Sequence, residues 1–230
     1  MRGYKMLECF NSTMTTEIVE KIKVSIPYSR WKTNIVNNFN VKKIMIKDVL
    51  MFGSNVGFVV VDAECYDKVD NRKIPSYAFL RGDSVSIMPV LKYNNNLYTV
   101  MVTESRTPIG KINQIGLPAG MIDNDNFKFA ALKELEEEVG PEFKITSDDL
   151  IDLGTYSVSC GGTDEHIKLY AFIREVDETL INKLQGRVTG AANENEKITV
   201  SIHSLHDIPK IEGIDMRSCL SYYKFMNECV

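Results

Sequence analysis

Four glutamates crowd into the stretch K-E-L-E-E-E-V-G, as Glu134, Glu136, Glu137 and Glu138. The segment from Phe127 to Val139 is built of strong helix formers. It stops at Gly140-Pro141, a glycine followed by a residue that cannot continue a helix. At about 100° per residue, Glu134, Glu137 and Glu138 fall within one arc of roughly 100°. Leu132, Leu135 and Val139 fall on a neighbouring arc that can bury against a sheet, and Glu136 points away from the acidic trio. Carboxylates at i, i+3 and i+4 repel one another by a few tenths of a kcal/mol per pair. They also sit toward the helix end whose dipole disfavours anions, with Lys133 as the nearest offsetting charge. One reading is a solvated acidic face. The other is a convergent set of oxygen donors for a hard divalent cation such as Mg²⁺. A locally unfavourable cluster beside a glycine turn is where function overrides local preference.

The other reactive side chains narrow the chemistry. Cys9, Cys65, Cys160, Cys219 and Cys229 are dispersed without a CxxC spacing, as reduced thiols are rather than a disulfide frame or zinc site. The histidines, His166, His203 and His206, form no HExxH. A net charge of −4 argues against a nucleic-acid partner, which usually needs a basic surface. Apolar and charged fractions of 44% and 25% are those of a globular protein, and 230 residues can bury a real core. No run of about 18 apolar residues is available to span a membrane. The first residues lack an apolar stretch of signal-peptide length, and Glu8 is wrong for a transit peptide, so a cytoplasmic location is expected.

Elements that could position the glutamates follow from the hydrophobic pattern. Residues 1–25 are weakly patterned, with a short helix or frayed leader over M-T-T-E-I-V-E-K-I. Trp31, Ile35, Val36 and Phe39 then recur at helical spacing after the turn residues Pro27 and Ser29. From Val41 to Asp62 the character is β-like, broken by G-S-N, and further strands are expected over Ser76–Leu80 and Val85–Lys92. The N-N-N turn into L-Y-T-V-M-V-T-E is a hairpin signal. Beyond the glutamates, D-L-I-D-L-G-T-Y-S-V and I-K-L-Y-A-F-I read as strands flanking S-C-G-G-T-D-E. A helix (Glu178 to Gln185), a polar loop T-G-A-A-N-E-N-E, a strand K-I-T-V-S-I and a last amphipathic helix (Asp215 to Asn227) complete the chain. Strands outnumber helices and alternate with them, which predicts an α/β sandwich around a mixed sheet.

G-M-I-D-N-D-N-F-K-F-A-A-L-K-E-L-E-E-E-V-G resembles the Nudix box, a glycine, a spaced acidic residue and then R-E-U-x-E-E-x-G with U apolar. Lys133 stands where the box has arginine. The loop from Gly120 is one residue short, and the outlying glutamate has no counterpart except Asp125 or Asn126. L-P-A-G is similar to the lead-in of the ADP-ribose and ADP-sugar branch. K-D-V-L-M-F-G-S-N-V-G-F, Y-A-F-L-R-G, E-S-R-T-P-I-G-K, G-G-T-D-E and L-Q-G-R-V-T-G resemble the plant-type ADP-sugar diphosphatases, so the likeness runs from about Ser29 onward. It implies a Nudix α/β/α sandwich over 81–230. A helix-and-strand subdomain over 1–80 would precede it and pair two copies as a homodimer.

The resemblance also implies roles. The reaction would be Mg²⁺-dependent hydrolysis, with Mn²⁺ as the alternative metal, of an ADP-sugar to AMP and a sugar phosphate. Glu134, Glu137 and Glu138, with the carbonyl of Ala119, match the metal ligands. A water-activating base would come from Glu194 or Glu196, preferably Glu196 just before K-I-T-V; both otherwise read as exposed loop acids. Arg106 matches a substrate arginine, its planar fork suited to a pair of phosphate oxygens, or else is a surface residue paired with Glu104. Arg81, Gly120 and Glu165 are further candidates for substrate contact, against plain readings of Arg81 as a turn residue and Glu165 as a strand-entry acid. The S-C-G-G-T-D-E loop gathers backbone N–H groups suited to phosphate or sugar. Trp31 and Phe58 read as core or dimer-interface aromatics. UDP-sugar hydrolysis, or a Nudix-fold module that binds a nucleotide sugar with little turnover, are the alternatives.

Overall fold

A computed structural model describes residues 6–122, 126–190 and 197–229 of the chain. They form two compact units, Met1–Asp83 with Ser157–His166, and Ser84–Tyr156 with Ile167–Val230.

The first unit opens with strand β1 (Leu7–Phe10), then helices α1 (Thr16–Val24) and α2 (Ile26–Asn38). The Thr15 hydroxyl caps α1 by accepting from the N–H of Ile18 at 3.3 Å. Pro27, expected in a preceding turn, lies inside the first turn of α2, where its missing N–H has no helical partner to lose. Strands β2 (Asn40–Phe52) and β3 (Asn55–Tyr66) form a long antiparallel pair across the expected Gly53-Ser54 turn. Short strands β4 (Lys73–Ile74) and β5 (Ala78–Leu80) both pair with β3. β1 lies parallel to β2, so a segment with little pattern of its own becomes a strand by joining an edge. One face of this sheet carries Ile44, Ile46, Val59, Val61 and Ala63, which pack with Ile22, Tyr28 and Ile35 of the two helices. Segment 157–166 joins this unit through Phe79, whose N–H donates to the carbonyl of Gly162 at 2.8 Å.

The second unit is an α/β/α sandwich. Its strands are β6 (Ser84–Tyr93), β7 (Asn96–Arg106), β8 (Lys111–Gly116) and β9 (Ala119–Met121), followed by helix α3 (Phe127–Glu138). Then come β10 (Ile151–Ser157), β11 (His166–Glu175), α4 (Glu178–Leu184), β12 (Val188–Thr189), β13 (Ile198–Ser204) and α5 (Met216–Cys229). The sheet runs β10-β11-β6-β7-β13-β12, with β8 on β7 and β9 on β6. It is mixed, because β11 runs parallel to β6 while β7 runs antiparallel to it. Asn94 and Asn95 both adopt positive φ, 48° and 60°, at the β6–β7 turn, as a primed hairpin turn requires. Side chains alternate between the faces. Val85, Ile87, Val100, Val102, Tyr170 and Phe172 meet Ala130, Ala131 and Leu135 of α3 and Leu184 of α4. Met88, Val90, Met101, Leu169 and Ala171 meet Phe225 of α5 on the other side. Central strands buried on both faces need no polar alternation, which is why S-V-S-I-M-P-V-L is an almost unbroken buried run. Among the described residues no helix is long and apolar enough to cross a membrane.

Candidate active site

The acidic helix is set by its two ends. Asn126 caps its start, its side-chain oxygen accepting from the N–H of Phe129 at 3.1 Å. At the far end Gly140 takes φ +126° and its N–H reaches the carbonyl of Leu135 at 3.1 Å. A Cβ on Gly140 would stand 2.5 Å from Nη1 of Arg187, which is paired with Glu142 at 2.6 Å. The hydroxyl of Thr189 donates to the carbonyl of Glu138, so β12 closes the last turn. Between these ends Ala130, Ala131, Leu135 and Glu138 turn inward. That orientation makes the glutamates inequivalent. Glu138 lies between Ala130 and Ala131 on the helical wheel and is 7% exposed. Glu137, at the outer edge of the acidic arc, is half exposed and paired with Lys133 at 3.3 Å. Glu136 is exposed.

Opposite Glu138 and Glu134 runs the turn from Gly116 to Gly120. Leu117 and Ala119 are buried, and the carbonyl of Pro118 accepts from the N–H of Ile87 and the hydroxyl of Ser86, both at 3.0 Å. Pairing of Ala119–Met121 with Ser84–Ser86 makes a short strand of what the sequence shows only as a turn. The N–H of Ala119 donates to Oε2 of Glu138 at 3.1 Å. A Cβ on Gly120 would lie 2.0 Å from the Cδ of Glu134, so only glycine admits that carboxylate against the backbone. Burial, then the charges of Glu134 and Glu104, push the Glu138 carboxyl up to about 8, against the Ala119 bond and the charge of Arg217, which lower it. A group raised in this way, wedged between like charges, marks a functional-site candidate.

Two members of this cluster were not read from the sequence as part of it. Glu104 sits near the end of β7 and is mostly buried. Arg217 sits in the first turn of α5, held by Asp215 with Nε to Oδ2 at 2.7 Å. Burial opposes the Arg217 charge, but Asp215, Glu138 and Glu104 outweigh it and raise its pKa. The one local signal was Asp215 as a helix cap, and its Oδ1 does accept from the N–H of Ser218 at 2.8 Å.

Of the remaining candidates, one reaches the cluster through Glu104 and the others described stand in the first unit. Arg106 ends β7 and pairs with Glu104, the plain alternative considered for it. In the first unit, Arg81 pairs with Glu165 at 3.4 Å, and Asp164 accepts from the N–H groups of Arg81 and Gly82 at 2.8 and 3.1 Å. The Cys160–Asp164 loop and Trp31 line a cavity of about 390 Å³ in that unit. Phe58 packs against Phe52 and Phe79 at 4.9 and 5.0 Å. Glu194, Glu196 and Asp125 lie outside the described residues.

The donors of the acidic cluster are all oxygen, the preference of a hard cation, and the mutual repulsion that lifts Glu138 is what such a cation would relieve. Glu134 and Glu138, with Glu104 beside them, therefore fit a divalent ion. They would need the backbone or water to complete it, because among the described residues no three His, Cys, Asp or Glu side chains form a cage by themselves.

The chain belongs to the Nudix family, residues 81–222 matching the NUDIX domain. Members of this family generally use divalent metal ions. The chain is 33% identical over 176 residues to "Nudix hydrolase 14, chloroplastic" of Arabidopsis thaliana, a match covering 72% of this chain and 56% of that protein. It is 42% identical over 59 residues to "Putative nudix hydrolase 2" of Caenorhabditis elegans, covering 25% of this chain and 26% of that one. The matches thus span about half and a quarter of these relatives. The fold is similar to a crystal structure titled "ADP compounds hydrolase", with TM-score 0.56 and 14% identity over 83% of this chain and 93% of the other.

Proposed function

We propose that this chain hydrolyses the diphosphate of an ADP-sugar, ADP-glucose or ADP-ribose, to AMP and a sugar phosphate with Mg²⁺ or Mn²⁺. The observation that carries the reading is the buried Glu138 carboxyl, crowded by Glu134 and Glu104 beneath the Ala119–Gly120 backbone of a Nudix domain. Glu134 and Glu138 hold the cation with the carbonyl of Ala119, and Glu137 joins them when it leaves Lys133. A cation bound there would neutralise diphosphate charge and lower the pKa of the attacking water. Glu196, or Glu194, takes the proton from that water. Arg106 presents its fork to a phosphate oxygen pair, exchanging Glu104 for substrate.

The sugar-nucleotide half of the reading rests on the L-P-A-G lead-in and the segments similar to plant-type ADP-sugar diphosphatases. Pairing of two copies through residues 1–80, in the cytoplasm, completes the proposal.

Purified protein with Mg²⁺ is incubated with ADP-glucose, ADP-ribose, UDP-glucose and UDP-galactose, and released nucleoside monophosphate and sugar phosphate are measured. AMP is expected from at least one ADP-sugar, faster than UMP from either UDP-sugar. Release from none of the four, by folded protein, would sink the assignment. Thermal stabilisation by a nucleotide sugar without turnover would mark a binding module instead.

A further inference from the structure

Glu138 is the last residue of α3, and the final carbonyls of a helix have no partner within it. A carboxyl carried on such an end is placed only as well as the end is held. The L-Q-G-R-V-T-G segment holds it. The side chain of Gln185 accepts from the N–H of Ile202 at 2.8 Å. The N–H of Gly186 reaches the carbonyl of Val200 at 2.9 Å, and the N–H of Val200 reaches that of Arg187 at 2.8 Å. These bonds fasten the segment to β13, which pairs with β7 in the sheet.

From that anchor two side chains reach the end of α3. Arg187 and Thr189 flank Val188, which is 59% exposed, so by strand alternation they share the opposite face. The Thr189 hydroxyl donates to the carbonyl of Glu138. The Arg187 guanidinium lies against Gly140, where a Cβ would meet its Nη1 at 2.5 Å and its Cζ at 2.9 Å. It also pairs with Glu142 at 2.6 Å, and Lys183 of α4 reaches the same Glu142 oxygen at 3.1 Å. The Glu142 side chain is only 11% exposed, so its charge depends on these two cations. The helix is thus gripped at Glu138 itself and at the two residues that lead away from it on alternate positions.

We propose that Arg187 and Thr189 are positioning residues, a clamp that holds the end of α3 so that the Glu138 carboxyl meets the N–H of Ala119. That Glu138 serves a cation rests on the function proposed above; that the clamp places its carboxyl does not. Releasing either grip lets the last turn fray. Glu138 then loses its place first, whereas Glu134 lies a full turn inside the helix.

The test uses the full chain as wild type, Thr189→Val, Thr189→Ser, Arg187→Met and Arg187→Lys. Amide hydrogen exchange is followed at Ala119, which bonds Glu138, and at Ile87, which bonds Pro118 of the same turn. Thr189→Val and Arg187→Met are expected to speed exchange at Ala119 about tenfold or more and at Ile87 less than about threefold. Thr189→Ser keeps the hydroxyl and restores the wild-type rate, and Arg187→Lys keeps the charge without the fork and falls between. Mn²⁺ binding, read by electron paramagnetic resonance, should weaken about tenfold in the same two variants and recover with serine. Equal acceleration at both amides, or none at Ala119, would make the two side chains mere stabilisers of the fold and overturn the proposal. Should Arg187→Met not fold, Thr189→Val against Thr189→Ser carries the comparison. Selective loss at Ala119 with serine rescue, in a protein whose wild type binds no Mn²⁺, upholds the clamp and refutes the metal reading. Unchanged exchange in the variants of a wild type that binds Mn²⁺ and hydrolyses a nucleotide sugar overturns the clamp and leaves the proposed function standing.

Discussion

The N–H of Ala119 donates to Oε2 of Glu138 at 3.1 Å, joining the turn after β8 to the last turn of α3. Neither partner reaches this bond by itself. Ala119 is fixed by pairing with Ser86, and Glu138 is turned inward because Ala130 and Ala131 on either side of it on the helical wheel are buried. A carboxylate delivered in this way to a backbone amide is oriented before any ligand arrives, and preorganisation of that kind underlies transition-state stabilisation.

Replacing Glu138 by glutamine should remove several orders of magnitude of hydrolytic rate while the protein stays folded, because the amide oxygen can still accept from Ala119. Glu136→Gln, altering an exposed side chain on the same helix, should leave the rate within about twofold. Steady-state kinetics on whichever substrate the panel selects, with circular dichroism to confirm folding, makes the comparison. Near-normal turnover in the Glu138 variant would remove this carboxylate from the reaction.

Stability should depend on pH with a definite sign. The Glu138 carboxyl is raised in the folded state to about 8 from an ordinary value of 4.5, chiefly by burial. Between those values the folded state holds a proton that the unfolded state has released. Stability in chelator is therefore fully present below the lower value and is lost as pH rises toward the upper one, by at most about 1.4 kcal/mol per pH unit. Melting temperatures measured from pH 5 to 8 in chelator should fall for the wild type more steeply than for Glu138→Gln. Parallel slopes in the two proteins would show that Glu138 titrates normally.

In the first unit, Asp83 binds Nη1 of Arg30 at 2.5 Å and accepts from the N–H of His166 at 3.1 Å. Nη2 of Arg30 is already buried without a hydrogen bond. Asp83→Ala leaves a part-buried guanidinium unpaired and should cost about 1–3 kcal/mol. Asp83→Asn keeps an acceptor for His166 and should cost less. Urea denaturation of the two variants decides the order, and an alanine variant as stable as wild type would contradict it.

How much of this was legible in the sequence depended on whether the cause was local. The acidic helix could be read because its formers, its glycine stop and its proline are consecutive, and it runs Phe127–Glu138. The Asn94-Asn95 turn was equally plain. β1 and β9 were not, because each becomes a strand only by adding to another: Leu7–Phe10 onto β2, and Ala119–Met121 onto β6. The site divides in the same way. Helical geometry separated Glu136 from its neighbours, but it could not show that Glu137 would pair with Lys133 while Glu138 was buried. That outcome depends on which side of α3 meets the sheet. Glu104 and Arg217 were invisible as members because they come from β7 and α5, brought to Glu138 by tertiary packing alone.

The ownership of segment 157–166 has a practical consequence. The matched family domain begins at residue 81, and that segment is tied to residues on both sides of this border. Phe79 bonds Gly162, Asp164 receives Arg81 and Gly82, and His166 donates to Asp83. A gene truncated at the domain border would keep the bonds of Arg81, Gly82 and Asp83 to this segment but strip Gly162 of Phe79. The Nudix part of this chain is therefore not a portable cassette. Excision or recombination at a single junction would carry a piece of its neighbour along with it.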